Sequence, residues 1–213
     1  MIRKIFAVTL LAGLFAAAPA RAQLPGLEIE PYIGVFVPGT DVIDEEIAGV
    51  DLTIGHQQSF AVGGRLTLWL LGPLGLEGNI MYAFSDVEVD ALGFSLLADE
   101  GAHVWAADAR LLWNLLPLGP IGLHLSGGLA TINHGGDFYD LVTDGESSVG
   151  GVVGGGLRVK LPGLLGVRAD ADAYLYSIDL AASVSEVIPP VIFDSQFQVD
   201  FVLSAGLILS IGP

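Results

Sequence analysis

His124-Leu125-Ser126 sets an imidazole and a hydroxyl two residues apart, the spacing that places both on one face of a strand. A histidine can take the proton of such a serine and make it a nucleophile, provided a third group orients the base. No acid stands at a spacing that marks it as that third group, so the pair is expected to be structural. The remaining histidines, His56, His103 and His134, are dispersed, and no two have the spacing of metal ligands. Val149-Gly150-Gly151-Val152-Val153-Gly154-Gly155-Gly156 is rich in glycine but lacks the following Lys-Ser/Thr of a phosphate loop, and reads as a strand. Cysteine is absent, which removes thiolate metal sites, disulfides and cysteine nucleophiles. These patterns assign no catalytic residue, no metal site and no cofactor, and no enzymatic activity is expected.

The chemistry the sequence does concentrate is charge pairing. Arg65, Arg110, Arg158, Lys160 and Arg168 all fall on the polar positions of alternating segments, and Glu28, Glu30, Glu77, Asp108, Asp170, Asp172 and Asp200 share those positions. Counting from the ends of the segments places Arg158, Lys160, Glu28, Glu30 and Glu77 in one layer and Arg65, Arg110, Arg168, Asp108 and Asp170 deeper. An enclosed charge without a partner is costly, so these twelve residues are expected to form a salt-bridged network.

The elements that position them have a period of two, not 3.6. Eight such segments can be read: Leu27–Pro38, Ser59–Leu71, Leu74–Asp86, His103–Leu116, Ile121–Thr131, Ser148–Leu161, Leu165–Ser177 and Gln198–Ile211. Each is near or above the length of a tilted membrane-crossing strand, about 9–11 residues. Three connections are tight turns, at Gly72-Pro73, Pro117–Pro120 and Pro162–Leu164. The other four are long: Gly39–Gln58, Val87–Ala102, Ile132–Ser147 and Ile178–Phe197. Short and long alternate strictly, which in an up-and-down barrel puts all tight turns at one end and all long loops at the other. The longest charge-free run, Leu111–Gly136, is broken by Pro117, Gly119, Pro120 and Gly122 and makes no transmembrane helix.

Alternation alone leaves open which face is wet, since a soluble lipocalin-like barrel would turn its apolar face inward. Three features favour lipid outside. The polar face is sparse and mixes charges with Gly, Ala and Ser. Its charges have both signs. Aromatics of the apolar face gather near segment ends, with Phe60, Tyr82, Phe84, Trp105 and Phe201 toward the loops and Trp113 toward the turns. The expected fold is an all-β, eight-stranded antiparallel up-and-down transmembrane β-barrel with short periplasmic turns and four long extracellular loops.

Composition agrees with that placement. The chain has 213 residues, 24 acids against eight Lys and Arg, and a net charge of −16, yet 52% of its residues are hydrophobic. Mean hydropathy is +0.65. Disordered acidic chains are poor in the Val, Leu and Phe found here, and no basic surplus exists to bind nucleic acid. Residues 1–22 read as a signal peptide, with Arg3 and Lys4 before the apolar run Ile5–Ala18 and an Ala20-Arg21-Ala22 cleavage site, leaving residues 23–213 as the barrel. Cleavage removes Arg3, Lys4 and Arg21, leaving five bases against 24 acids, a net of −19. The 17 acids outside the lumen set lie in or beside the long loops, among them Asp44, Glu45, Glu46, Asp51, Glu88 and Asp90, with no Lys or Arg beside them. Solvation and self-repulsion account for such a rim. Divalent cations are the partner its carboxylates would take.

The signal ending Ala20-Arg21-Ala22, the opening strand Glu30-Pro31-Tyr32-Ile33-Gly34-Val35 and the closing strand Asp200–Ile211 resemble the small eight-stranded outer-membrane barrels, the OmpA-like and OmpX-like group, over Leu27 to Ile211. The resemblance implies an exported monomer embedded in outer-membrane lipid, and a family whose members serve envelope integrity, adhesion or small-solute passage. One departure is the end Ile211-Gly212-Pro213, where many such barrels finish on an aromatic residue. No peptidoglycan-binding domain follows, so no wall-tethering role is expected. The expected function is a structural or surface-interaction role with a salt-bridged lumen. A narrow small-solute channel is the first alternative, and a soluble periplasmic ligand-binding barrel the second.

Overall fold

A computed structural model describes residues 26–40, 43–47, 50–56, 58–84, 87–91, 94–97, 102–118, 120–136, 147–178, 181–182, 191–192 and 196–211. The signal segment and much of the third and fourth loops lie outside them. Eight long strands form the body: β1 (Gly26–Pro38), β2 (Ser59–Leu71), β3 (Leu74–Ala83), β4 (Ala102–Leu118), β5 (Ile121–Gly136), β6 (Ser147–Lys160), β7 (Leu165–Ile178) and β8 (Gln196–Ile211). Every strand pairs antiparallel with its sequence neighbours, and β1 pairs with β8 to close the barrel. All eight expected strands are present. β4 and β5 run further than expected, to Leu118 and to Gly136.

The tight ends are built by local chemistry. Leu71 pairs with Leu74 across Gly72-Pro73, and Gly72 adopts a φ of 53° that only glycine takes cheaply at the first position of a two-residue hairpin. Gly163, with φ 85°, does the same work between β6 and β7.

Alternation decides the faces. Ile33, Ile80, Leu129, Val149 and Leu207 stand outward and are 59–78% exposed, while Glu30, Arg65, Glu77, Arg110 and Asp172 stand inward and are nearly fully buried. A continuous exposed apolar wall of this kind marks a lipid contact, not a water-facing surface. Phe60, Phe84, Tyr82 and Trp105 cluster on the outside near the loop end, with Tyr82 and Phe84 rings 4.9 Å apart. Trp113 is exposed toward the turn end.

The strands are strongly staggered. Glu30 lies opposite Arg65, Arg65 opposite Asn79, Asn79 opposite Asp108, and Asp108 opposite Ala130. Ala130 faces Gly150, which lies against Tyr176, and Tyr176 pairs with Gln198. Gln198 then receives the hydroxyl of Thr40. One circuit of the wall that leaves the chain at Glu30 therefore returns to it at Thr40, the shear that closing a tilted sheet requires.

Two of the segments expected as loops contain strands. Ile43–Ile47 and Val50–His56 form one hairpin, Val87–Ala91 and Phe94–Leu97 another, and the two join into a four-stranded sheet. Its register sets Ile43, Ile54, Val89 and Leu96 in one row across the sheet. The next row is Asp44, Thr53, Asp90 and Ser95. Ala181–Ala182 and Val191–Ile192 make a further short pair.

Candidate functional site

The inward residues form two tiers. Toward the turn end, three arginines hold a shared cluster of acids. Arg65 donates through Nη1 to Glu30 Oε1 at 2.7 Å and to Asp170 Oδ2 at 3.1 Å, and through Nη2 to Asp172 Oδ2 at 3.2 Å and Ser204 Oγ at 2.8 Å. Its guanidinium also lies 4.1 Å from the centre of the Tyr32 ring. Arg110 grips Asp108 with two bonds of 2.7 Å, from Nε and Nη2, and reaches Asp172 Oδ1 with a third of 2.7 Å. Arg168 donates to Glu77 Oε2 at 2.5 Å and lies 2.8 Å from Asp170 Oδ2. Asp172 and Asp170 each bridge two arginines, so the pairs form one connected network. Bidentate and bridging geometry of this kind is what makes a buried guanidinium tolerable.

Five acids, Glu30, Glu77, Asp108, Asp170 and Asp172, face three arginines, and neutral donors supply the remaining bonds. Thr67 donates to Glu77 at 2.6 Å, Asn79 to Asp108 at 2.8 Å and Tyr174 to Asp108 at 2.9 Å. Tyr32 OH in turn donates to Asn79 at 3.0 Å. Sequence reasoning missed these partners. Their signal was parity, since each occupies the same strand face as the charges.

The structure places the twelve sequence-derived residues in four settings. Glu30, Arg65, Glu77, Asp108, Arg110, Arg168, Asp170 and Asp172 meet in the network. Glu28 and Arg158 form a separate pair at the turn end, with Nη2 2.6 and 2.7 Å from the two carboxylate oxygens and the guanidinium 4.8 Å from the Trp69 ring centre. Lys160 is not in the lumen network: it is exposed at the turn-end rim and makes no salt bridge among the described residues. Asp200 sits apart near the loop end and accepts a short hydrogen bond from Tyr176 OH, which also contacts His134 Nε2 at 3.2 Å. The expected layering also needs correcting. Glu30 and Glu77 belong with Arg65 and Arg168, not with Arg158, because the stagger carries each strand's depth away from a simple count of residues from its turn.

His124 does have an acid. Its Nε2 lies 2.7 Å from Asp170 Oδ1, a partner from β7 that no sequence spacing announced. Ser126 Oγ has no hydrogen-bond partner, so the His124–Ser126 bond of an activated serine is not made. Of the other histidines, His103 stacks on Tyr82 at 5.3 Å, His134 is buried beside Tyr176, and His56 lies on a loop strand. Among the described residues no group of three or more His, Asp or Glu is placed to hold a metal.

The glycine-rich strand β6 has a job in this tier. A methyl group at Gly154 would collide with Asp172 Oδ1, and one at Gly156 with Asp170 Oδ1. Glycine there lets both carboxylates of β7 lie across β6 and reach the arginines beyond.

The second tier is mainly apolar, with Tyr176, His134 and Asp200 among its buried residues. Phe36, Met81, Val104, Ala106, Ile132, Val152 and Val202 fill the lumen toward the loop end and are buried to 2% exposure or less.

The sequence matches the family model of the outer membrane protein beta-barrel domain over residues 6–200. The chain belongs to that family. The outer-membrane barrel also shares its fold with solved structures of low sequence identity. With OprG from Pseudomonas aeruginosa the identity is 12%, the TM-score 0.63, and the match covers 90% of this chain and 98% of that one. AlkL, determined in DMPC lipid bilayers, gives 13% identity and a TM-score of 0.60, covering 92% and 95%. Neisserial surface protein A gives 10% and 0.58, covering 86% and 96%. No curated sequence relative matches. Membership of the family excludes the soluble periplasmic barrel and places the exposed wall of β1–β8 in the bacterial outer membrane.

Proposed function

We propose that this outer-membrane barrel is a non-conducting structural scaffold that holds an acidic β-sheet above the cell surface. One observation carries the reading: the inward positions hold a buried arginine network and then the buried side chains of Phe36, Met81, Val104, Ile132, Val152 and Val202. An eight-stranded barrel has an interior that side chains can fill, and here both tiers do so. The lack of a His124–Ser126 hydrogen bond supports a role without catalysis.

Single-channel recording in planar bilayers tests this. The scaffold gives no discrete openings, whereas stepwise conductance would establish the narrow small-solute channel instead. The surface role rests on Asp44, Glu46, Asp51, Glu88 and Asp90, which lie in the loop-sheet strands with no Lys or Arg among them. Calorimetric titration of the folded protein with Ca²⁺ and Mg²⁺ decides whether divalent cations belong to that role. The protein acts as a monomer in this reading, which sedimentation in detergent checks.

A further inference from the structure

The lipid-facing wall is not uniformly convex. One row across four strands runs Ile33 on β1, Ala205 on β8, Ala169 on β7 and Leu157 on β6. Two methyl groups thus lie between two large side chains, and strands spaced about 4.8 Å apart set those flanks roughly 14 Å from each other. The result is a groove of about 630 Å³, bounded by Pro31 and Leu207 on the next row toward the turns. Pro31 has no N–H to give, and the β1–β8 ladder, which pairs Ile29 with Leu209 and Tyr32 with Gly206, is interrupted there.

We propose that this groove seats one acyl chain of a phospholipid in the periplasmic leaflet. The proposal rests on the outer-membrane placement of the wall, with which the groove is continuous. Leu157 lies close to the end of β6 at Lys160, so the groove opens in the turn-end half of the wall, which faces that leaflet. Its outward side chains are hydrocarbon, and its volume is many times the ~30 Å³ share of a water molecule, so it suits a flexible alkyl chain. A second copy of the barrel fits it poorly. Association within lipid has no hydrophobic drive and depends on close approach of backbones, and Ile33, Leu157 and Leu207 stand in the way of that approach. A single chain slides between the same flanks and gains contact on three sides.

The test uses the whole protein in phosphatidylethanolamine–phosphatidylglycerol vesicles doped with a phospholipid spin-labelled near the end of one acyl chain. Electron paramagnetic resonance counts the motionally restricted lipids per barrel. A169F/A205F fills the groove and is expected to lower that count by one lipid, whereas V149F/V153F, on the wall elsewhere, leaves it unchanged. Heat-modifiable gel migration confirms that each variant is folded, and Ala205→Leu replaces the double variant should it fail to fold. An unchanged count in the groove-filled variant overturns the proposal. So does efficient oxidative dimer formation by A205C, a clean report in a chain without cysteine, because it would make the occupant a second copy. Recovery of the folded barrel from the aqueous phase would remove the membrane placement and the ligand together.

Discussion

Toward the turns, the lumen is held by Arg65, Arg110 and Arg168, each bonded to two or more acids at defined atoms. Toward the loops, it is held mainly by the nonpolar packing of Met81, Ile132 and Val152. The two tiers occupy one tube and the same parity of the same strands, yet they respond to damage in different ways. A charge network fails by leaving a partner stranded: deleting one arginine exposes several carboxylates to an interior that cannot solvate them. An apolar packing fails by degrees, losing transfer energy and gaining a cavity in proportion to the atoms removed. The glycines belong to the first tier for the same reason. Directional bonds demand that Asp170 and Asp172 reach across β6, and only a wall without side chains lets them.

The largest effect should come from Arg65→Ala, which takes one of two arginine partners from each of Glu30, Asp170 and Asp172 and is expected to cost about 3–5 kcal/mol. Urea unfolding in lipid vesicles, followed by tryptophan fluorescence, measures it, and a loss under about 1 kcal/mol would erase the distinction between the tiers. Gly156→Ala comes next, at about 1–3 kcal/mol, because the added methyl meets Asp170, His124 and the Ala169 carbonyl. If the same assay shows Gly156→Ala to be neutral, the glycine wall is not a condition of the network. Ile132→Val trims the apolar tier and should cost only about 0.5–1.5 kcal/mol with the barrel otherwise intact. A collapse of heat-modifiable migration in that variant would show the apolar tier to be as brittle as the charged one. Smallest of all, Lys160→Ala should lie within about 0.5 kcal/mol of the parent, as expected of an exposed cation outside the network. A larger loss would return Lys160 to the lumen set.

The strands and their faces were legible because a half-wet, half-apolar wall must alternate, and segments such as Val167–Tyr176 do so without interruption. The identity of the buried charges was legible for the same reason. Their partners were not. Depth depends on stagger, which is a property of the closed barrel and not of any one strand, so Glu77 counted from its turn lands in the wrong layer. The apolar tier escaped notice where inward Val152 and Val202 sit beside outward Val153, Phe201 and Leu203, since alternation carries no signal when both faces are greasy. The loop strands did leave a trace. Val50-Asp51-Leu52-Thr53-Ile54 and Val87-Glu88-Val89-Asp90-Ala91 have the same period of two, but they stand among acids and were read as connection.

Several of the network bonds also differ from ordinary salt bridges in the distance along the chain that they must span. Arg65 meets Asp170 and Asp172 across 105 and 107 residues, and Arg168 meets Glu30 across 138. Contacts of such separation form late, because the chain entropy they cost is recovered only after everything between them is in place. Until β1 finds β8, the arginines of an open sheet line a water-filled concavity and keep their hydration. Ring closure brings Arg65 to Asp170 and Asp172, and Arg168 to Glu30. The barrel therefore shuts like a latch whose tongue and catch sit at opposite ends of the polypeptide.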